Sequence, residues 1–70
     1  MGNESGVLKN NLKTLRAKFG LTQAELANQV KVTRKTINTV ENNIFVPSTI
    51  LALKLSEALE VPVEDIFFLS

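Results

Sequence analysis

The 70-residue sequence contains no cysteine and no histidine. The first absence excludes disulfides and thiol nucleophiles. The two together exclude Cys/His metal sites and the commonest general base. The acids are scattered along the chain and form no catalytic constellation, so neither an enzyme nor a cofactor is expected. No apolar run approaches the roughly 20 residues of a membrane span, and the chain does not open on a basic-then-apolar leader. A soluble, cytoplasmic protein with no membrane partner and no small-molecule ligand is the expectation. Met1-Gly2 begins like a myristoylation signal, but Gly6 stands where Ser or Thr is required. A chain this short folds as one small domain around one apolar core, with dimerisation as an available supplement to its stability.

Net charge is only +1, but its distribution is uneven. Seven of the eight basic residues (Lys9, Lys13, Arg16, Lys18, Lys31, Arg34, Lys35) lie between positions 9 and 35, with one acid, Glu25. Positions 36–70 carry Lys54 against Glu41, Glu57, Glu60, Glu64 and Asp65. A basic half and an acidic half suit a molecule with one face for phosphate and one turned away, although small helical domains often carry uneven charge.

The most informative stretch is positions 22–43, TQAELANQVKVTRKTINTVENN. Thr22 followed by Glu25 forms a capping box, and Leu26, Ala27 and Val30 make a narrow apolar stripe over a helix at 23–30. Thr33 caps a second helix at about 34–41, with Ile37, Val40 and Ile44 at helical spacing. The three residues between, 31–33, force a steep crossing, the geometry of a helix-turn-helix, with small Ala27 at the closest approach. The outer face of the second helix carries Arg34, Lys35, Asn38, Thr39 and Asn42, residue types suited to base edges and phosphates.

Around this unit, positions 1–6 are polar, contain two glycines and read as a flexible tail, so the folded domain spans 7–70. A first helix is expected over 7–19, with Val7 or Leu8, Leu12, Leu15 and Phe19 as its stripe and Gly20 as its stop. Asn42 and Asn43 can end the third helix, and Ile44 and Phe45 read as buried or half-buried. Pro47-Ser48 stops the chain and restarts it as a fourth helix over 49–59, apolar on more than one face and therefore central. Val61-Pro62 breaks that helix, and Glu64 and Asp65 favour the start of a fifth at 63–67. No strand-like alternation is visible. The predicted fold is all-α, a compact domain of five helices.

The order and spacing of these residues resemble the Cro/C1-type, lambda repressor-like DNA-binding family, also called XRE. The similarity rests on Leu21-Thr22-Gln23-Ala24-Glu25-Leu26-Ala27, then Val32-Thr33-Arg34, Ile37 and Val40-Glu41-Asn42. It continues through Val46-Pro47-Ser48, Ala52-Leu53-Lys54-Leu55 and positions 61–67, and covers nearly everything after Val7. The resemblance implies that Gln23, at a helix N-terminus, touches a phosphate. It also implies a partly buried ion pair between Arg16, the lone arginine of the first helix, and Glu41, the lone acid of the third. The family usually has glycine near Lys31. A non-glycine residue held left-handed there costs on the order of 1 kcal/mol.

The N-terminal residues of a recognition helix reach base edges, which nominates Arg34, Lys35 and Thr39, with Asn38 beside them. A solvated helix face would hold similar types but would mix signs, and no acid occurs between Val30 and Val40. Thr33, Asn42, Asn43 and Lys31 are available for phosphates, while capping alone also accounts for Thr33 and the asparagines. Ile66 and Phe67 are expected to complete the core beneath the fourth helix, leaving Phe68 and Leu69 exposed; Phe67, Phe68 and Leu69 end the chain as a candidate dimer surface, though all three can instead fold back on the core. The resulting expectation is a sequence-specific regulator that reads double-stranded DNA as a homodimer on a palindromic site. The competing reading is a protein-binding, antitoxin-like module that uses the apolar C-terminus.

Overall fold

The computed structural model describes residues 6–70, so positions 1–5 of the expected tail lie outside the described residues. Five helices and two short strands follow in the order β1 (Leu8–Asn10), α1 (Leu12–Lys18), α2 (Gln23–Val30), α3 (Arg34–Glu41), α4 (Thr49–Leu59), α5 (Val63–Ile66) and β2 (Phe67–Leu69). The apolar stripes meet in one core of Leu12, Leu26, Ala27, Val30, Ile37, Val40, Leu51, Leu55, Leu59, Ile66 and Phe67. α2 packs against both α3 and α4, so it is the element that supports α3. No helix among the described residues is long and apolar enough to cross a membrane.

The expected caps form. Thr22 Oγ1 accepts the Glu25 backbone N–H at 3.0 Å, and Glu25 Oε1 accepts the Thr22 N–H at 2.8 Å. Thr33 Oγ1 accepts the Thr36 N–H at 3.2 Å and Ser48 Oγ accepts the Leu51 N–H at 3.0 Å. Each removes one of the orphan donors at a helix start. α5 starts at Pro62 without a side-chain cap, with Glu64 and Asp65 in its first turn.

Helices α1 to α4 end alike. Gly20, Lys31, Asn43 and Glu60 all adopt positive φ (67°, 64°, 61° and 56°). After each, the next amide reaches back to close a six-residue loop: Leu21 to Arg16 O, Val32 to Ala27 O, Ile44 to Thr39 O and Val61 to Ser56 O. This is the Schellman arrangement, which satisfies carbonyls left over at a helix C-terminus. At Gly20 the space beyond the backbone is open, so glycine is there for its backbone freedom and not for room. Lys31 and Glu60 hold the same conformation with a side chain attached.

The first helix is shorter than its periodicity suggests. Residues 8–10 are strand, and α1 starts only at Leu12. Two successive asparagines explain the break. Asn10 Oδ1 accepts the Leu12 N–H at 2.9 Å, and the Asn11 backbone N–H bonds to Ile66 O at 2.8 Å. Both give the chain partners that a continuing helix would not use. β1 pairs antiparallel with β2 in the register Leu8↔Leu69, Lys9↔Phe68, Asn10↔Phe67. A two-stranded ribbon is therefore added to the five-helix domain, and it ends α5 at Ile66 before the expected Phe67.

Burial also departs from expectation at several positions. Val7 precedes β1 and is exposed, and Phe19 is the exposed cap residue of α1, so neither belongs to a buried stripe. Ile44 and Phe45 are exposed. Phe67 joins Ile66 in the core as expected, which removes it from the candidate dimer surface and leaves Phe68 and Leu69 exposed there.

The left-handed ends make a stability prediction. Lys31→Gly and Glu60→Gly should each raise unfolding free energy by about 1 kcal/mol, and therefore the midpoint of thermal unfolding by several degrees. Asn43→Gly should gain less, because asparagine tolerates this conformation. Thermal melts of the three variants check the order.

Candidate nucleic-acid interface

α3 buries Ile37 and Val40 and leaves Arg34 and Lys35 exposed, with Asn38 and Thr39 half-buried at its flanks. What holds this helix is a polar network at its base. Arg16 Nε on α1 donates to Glu41 Oε2 on α3 at 2.6 Å, and Arg16 Nη2 donates to Glu41 Oε1 at 3.3 Å. The two side chains are 14% and 3% exposed respectively, so the pair is largely withdrawn from water. Gln23 Nε2, at the start of α2, donates to Glu41 Oε1 at 2.9 Å. Arg16 Nη1 also donates to Leu21 O at 2.8 Å, in the link between α1 and α2.

One carboxylate thus receives donors from two other helices. The hydrogen bond from Arg16 to Glu41 raises the guanidinium pKa above its ordinary value, and the opposing effect of partial burial is smaller. Among the described residues no buried side-chain nitrogen or oxygen is left without a partner, which is the condition for such a network to be tolerable in a small core.

The network extends to the exposed face. Gln23 Oε1 accepts Arg34 Nη1 at 3.2 Å. Arg16, Glu41, Gln23 and Arg34 therefore form one chain from α1 to the front of α3. Gln23, which the family resemblance assigns to phosphate, is bonded here to both Glu41 and Arg34. Thr33 caps α3, and its hydroxyl also lies 3.0 Å from that of Thr36. Thr39 Oγ1 donates to Thr36 O at 3.0 Å, and Asn42 Nδ2 donates to Asn38 O at 2.8 Å. Lys31 lies apart from Arg34, lining a shallow hollow with Gln29, Lys54, Glu57 and Ala58.

Asn10 is a structural residue of this site that sequence reasoning passed over. Its Nδ2 donates to Val40 O and to Asn43 Oδ1, both at 2.9 Å, so β1 clamps the C-terminal end of α3. The available signal was two successive asparagines, Asn10 and Asn11, inside the expected first helix, since asparagine competes for backbone partners.

A family model described as Helix-turn-helix matches residues 12–66. The chain belongs to the Cro/C1-type helix-turn-helix family. The match runs from the first residue of α1 to the last of α5, and the ribbon lies outside it. Among relatives, the uncharacterized HTH-type transcriptional regulator YgzD of Bacillus subtilis is 45% identical over 62 residues, which covers 89% of this chain and 94% of that protein. An uncharacterized HTH-type transcriptional regulator of Methanocaldococcus jannaschii is 43% identical over 60 residues, covering 86% and 91%. The restriction-modification controller protein C.AhdI of Aeromonas hydrophila superposes with a TM-score of 0.73 at 31% identity, over 77% of this chain and 78% of its own. The clp gene regulator ClgR of Corynebacterium glutamicum gives 0.73 at 30% identity, over 77% and 57%.

Within this family frame the energetic role of Glu41 is measurable. Glu41→Ala strands Arg16 and the Gln23 amide, and should cost about 2–3 kcal/mol, less than a fully buried pair because Arg16 keeps some access to water. Arg16→Ala should cost a similar amount. The double variant should fall well short of their sum, with a coupling of about 2 kcal/mol from denaturant unfolding of all four proteins.

Proposed function

We propose that this chain is a sequence-specific, double-stranded DNA-binding transcriptional regulator that acts in the cytoplasm and reads a palindromic operator as a homodimer. The observation that carries the reading is α3 itself: a short helix fixed at its base by the Arg16–Glu41–Gln23 network, with Arg34, Lys35, Asn38 and Thr39 toward its outer side and no acid among them. Arg34 and Lys35 sit in the first turn, where a recognition helix meets base edges in the major groove. Arg34 supplies a guanidinium fork for guanine, and Asn38 suits adenine. Thr39 has committed its hydroxyl proton to Thr36, so it offers a base its methyl, which fits a thymine methyl, and its oxygen only as an acceptor. The amides at the start of α2 receive a phosphate, to which Gln23 donates the second hydrogen of the Nε2 that already holds Glu41. Thr33 and Asn42 contact phosphate from the edges of α3 while keeping their capping roles.

The protein-binding reading retains one observation in its favour, the exposed Phe68 and Leu69 on β2. It predicts loss of a protein complex on Phe68→Ser with DNA binding intact.

Selection from a pool of random duplexes tests the DNA reading. The expected product is an inverted repeat with half-sites about 34 Å apart, one turn of DNA. Arg34→Ala and Thr39→Ala should relax preference at one or two positions each, by about 1–3 kcal/mol of discrimination for the arginine. Affinity should fall with salt at a slope near −0.9 per phosphate neutralised. No enrichment at low salt would refute the reading.

A further inference from the structure

Two successive asparagines follow α3, and the structure turns their carboxamides in opposite senses. Asn42 Nδ2 donates to Asn38 O on its own helix at 2.8 Å, which spends one hydrogen of that amide inward. Asn43 instead accepts: its Oδ1 takes a hydrogen from Asn10 Nδ2 at 2.9 Å. Which end of Asn43 faces Asn10 is set by a relay that begins in the ribbon. Asn10 Oδ1 accepts the Leu12 N–H at 2.9 Å, a task that only the oxygen of a carboxamide can perform. Asn10 Nδ2 must then point the other way, where its two hydrogens go to Val40 O and to Asn43 Oδ1. Only an oxygen can receive the second of these, so the Asn43 NH2 group is turned away from the ribbon. Among the described residues no protein group accepts from it, and the residue is exposed.

We infer that Asn43 Nδ2 is a ligand for a DNA phosphate and that Asn10 is the positioning residue that aims it. The inference rests on the operator-binding reading above and adds to it one contact and the residue behind that contact.

Position selects the ligand. The eight residues of α3 make it about 12 Å long, close to the ~12 Å width of the major groove. With Arg34 and Lys35 at the base edges, the chain leaving the other end of α3 passes a phosphate wall. Chemistry selects the same ligand. An NH2 group with two uncommitted hydrogens suits an anion that offers only acceptors. The next acid in sequence after Glu41 is Glu57, and Glu41 itself is occupied by Arg16 and Gln23. The flanking sequence therefore brings no free acid to repel a phosphate. The left-handed turn does not by itself call for this side chain, since glycine holds a φ of 61° without strain. Asn10 lies in β1, outside residues 12–66 that match the family model, so the aiming device is an addition to the shared helices.

Binding to a random-sequence duplex at low salt, and to the duplex selected by the wild type, tests the relay, with thermal melts to confirm that each variant folds. Asn43→Gly removes the donor without adding charge and should raise the dissociation constant about tenfold per half-site. Asn43→Asp keeps an acceptor for Asn10 and tolerates the left-handed turn, so it should melt close to the wild type. It should nevertheless bind about a hundredfold more weakly, having lost the donor and gained a charge. Asn10→Asp still accepts from Leu12 but presents an oxygen to Asn43, which should turn the Asn43 carboxamide around and weaken binding as well. The double variant Asn10→Asp/Asn43→Gly should bind about tenfold more tightly than the product of the two single losses, because the donor is lost only once. Base preference should be unchanged throughout, as the contact is to phosphate. Single losses that multiply in the double variant would overturn the inference, since a purely structural Asn10 behaves that way. So would an Asn43→Gly protein that binds as the wild type does; in both cases the operator reading stands. A wild type that binds no duplex at low salt would remove both, so the two failures are distinguishable.

Discussion

The Glu41 carboxylate is the constraint on which the placement of α3 depends. It is almost fully withdrawn from water and sits on the last residue of α3. A charge in that position is tolerable only with its lone pairs occupied, and its donors come from α1 and from the first residue of α2. Helix packing alone fixes α3 through nonspecific contacts of Ile37 and Val40. The directional bonds to Glu41 fix its rotation and tilt as well. They also withdraw the one acid of α3 from the face that carries Arg34 and Lys35.

Binding and folding share these residues. Gln23 is an internal partner of Glu41 and of Arg34 in the free protein, and the proposed phosphate ligand in the complex. The bond to Arg34 is exposed and easily exchanged, whereas the bond to Glu41 lies deeper. A phosphate at the start of α2 would accept the second Nε2 hydrogen of Gln23 and leave both internal bonds in place. Arg34 is held on that side only by this exposed bond, so a base proposed to meet it has one weak internal partner to displace.

The helix-turn-helix was legible in the sequence because its signals are local: a capping box at Thr22 and Glu25, a cap at Thr33, and two stripes of matching period. The reading failed where the determining partner is distant. Asn10 and Asn11 break α1 because Ile66, Val40 and Asn43 are present to bond them, and nothing near them in sequence says so. Three-residue strands carry no period, and β1 and β2 lie at opposite ends of the chain. Glu60 shows no preference for a left-handed turn, and the helix end imposes it. Ile44 and Phe45 read as buried because apolar residues at helical spacing usually are, and nothing local shows that the chain after α3 turns them outward. At the site, residue types nominated Arg34 and Thr39, but only the coordinates show Gln23 bridging Glu41 to Arg34.

The ribbon has a further consequence for how the chain assembles. Its pairs, and the bond from the Ser70 amide to Val7 O, join the most distant parts of the described sequence. Closing such a loop carries the largest ordering entropy of any contact in the fold, while the turn between α2 and α3 is local. The helices can thus be in place before the two ends clasp. Because Asn10 belongs to that clasp and also holds the end of α3, fraying of the ribbon is transmitted to α3, and anything that ties the two strands together steadies it.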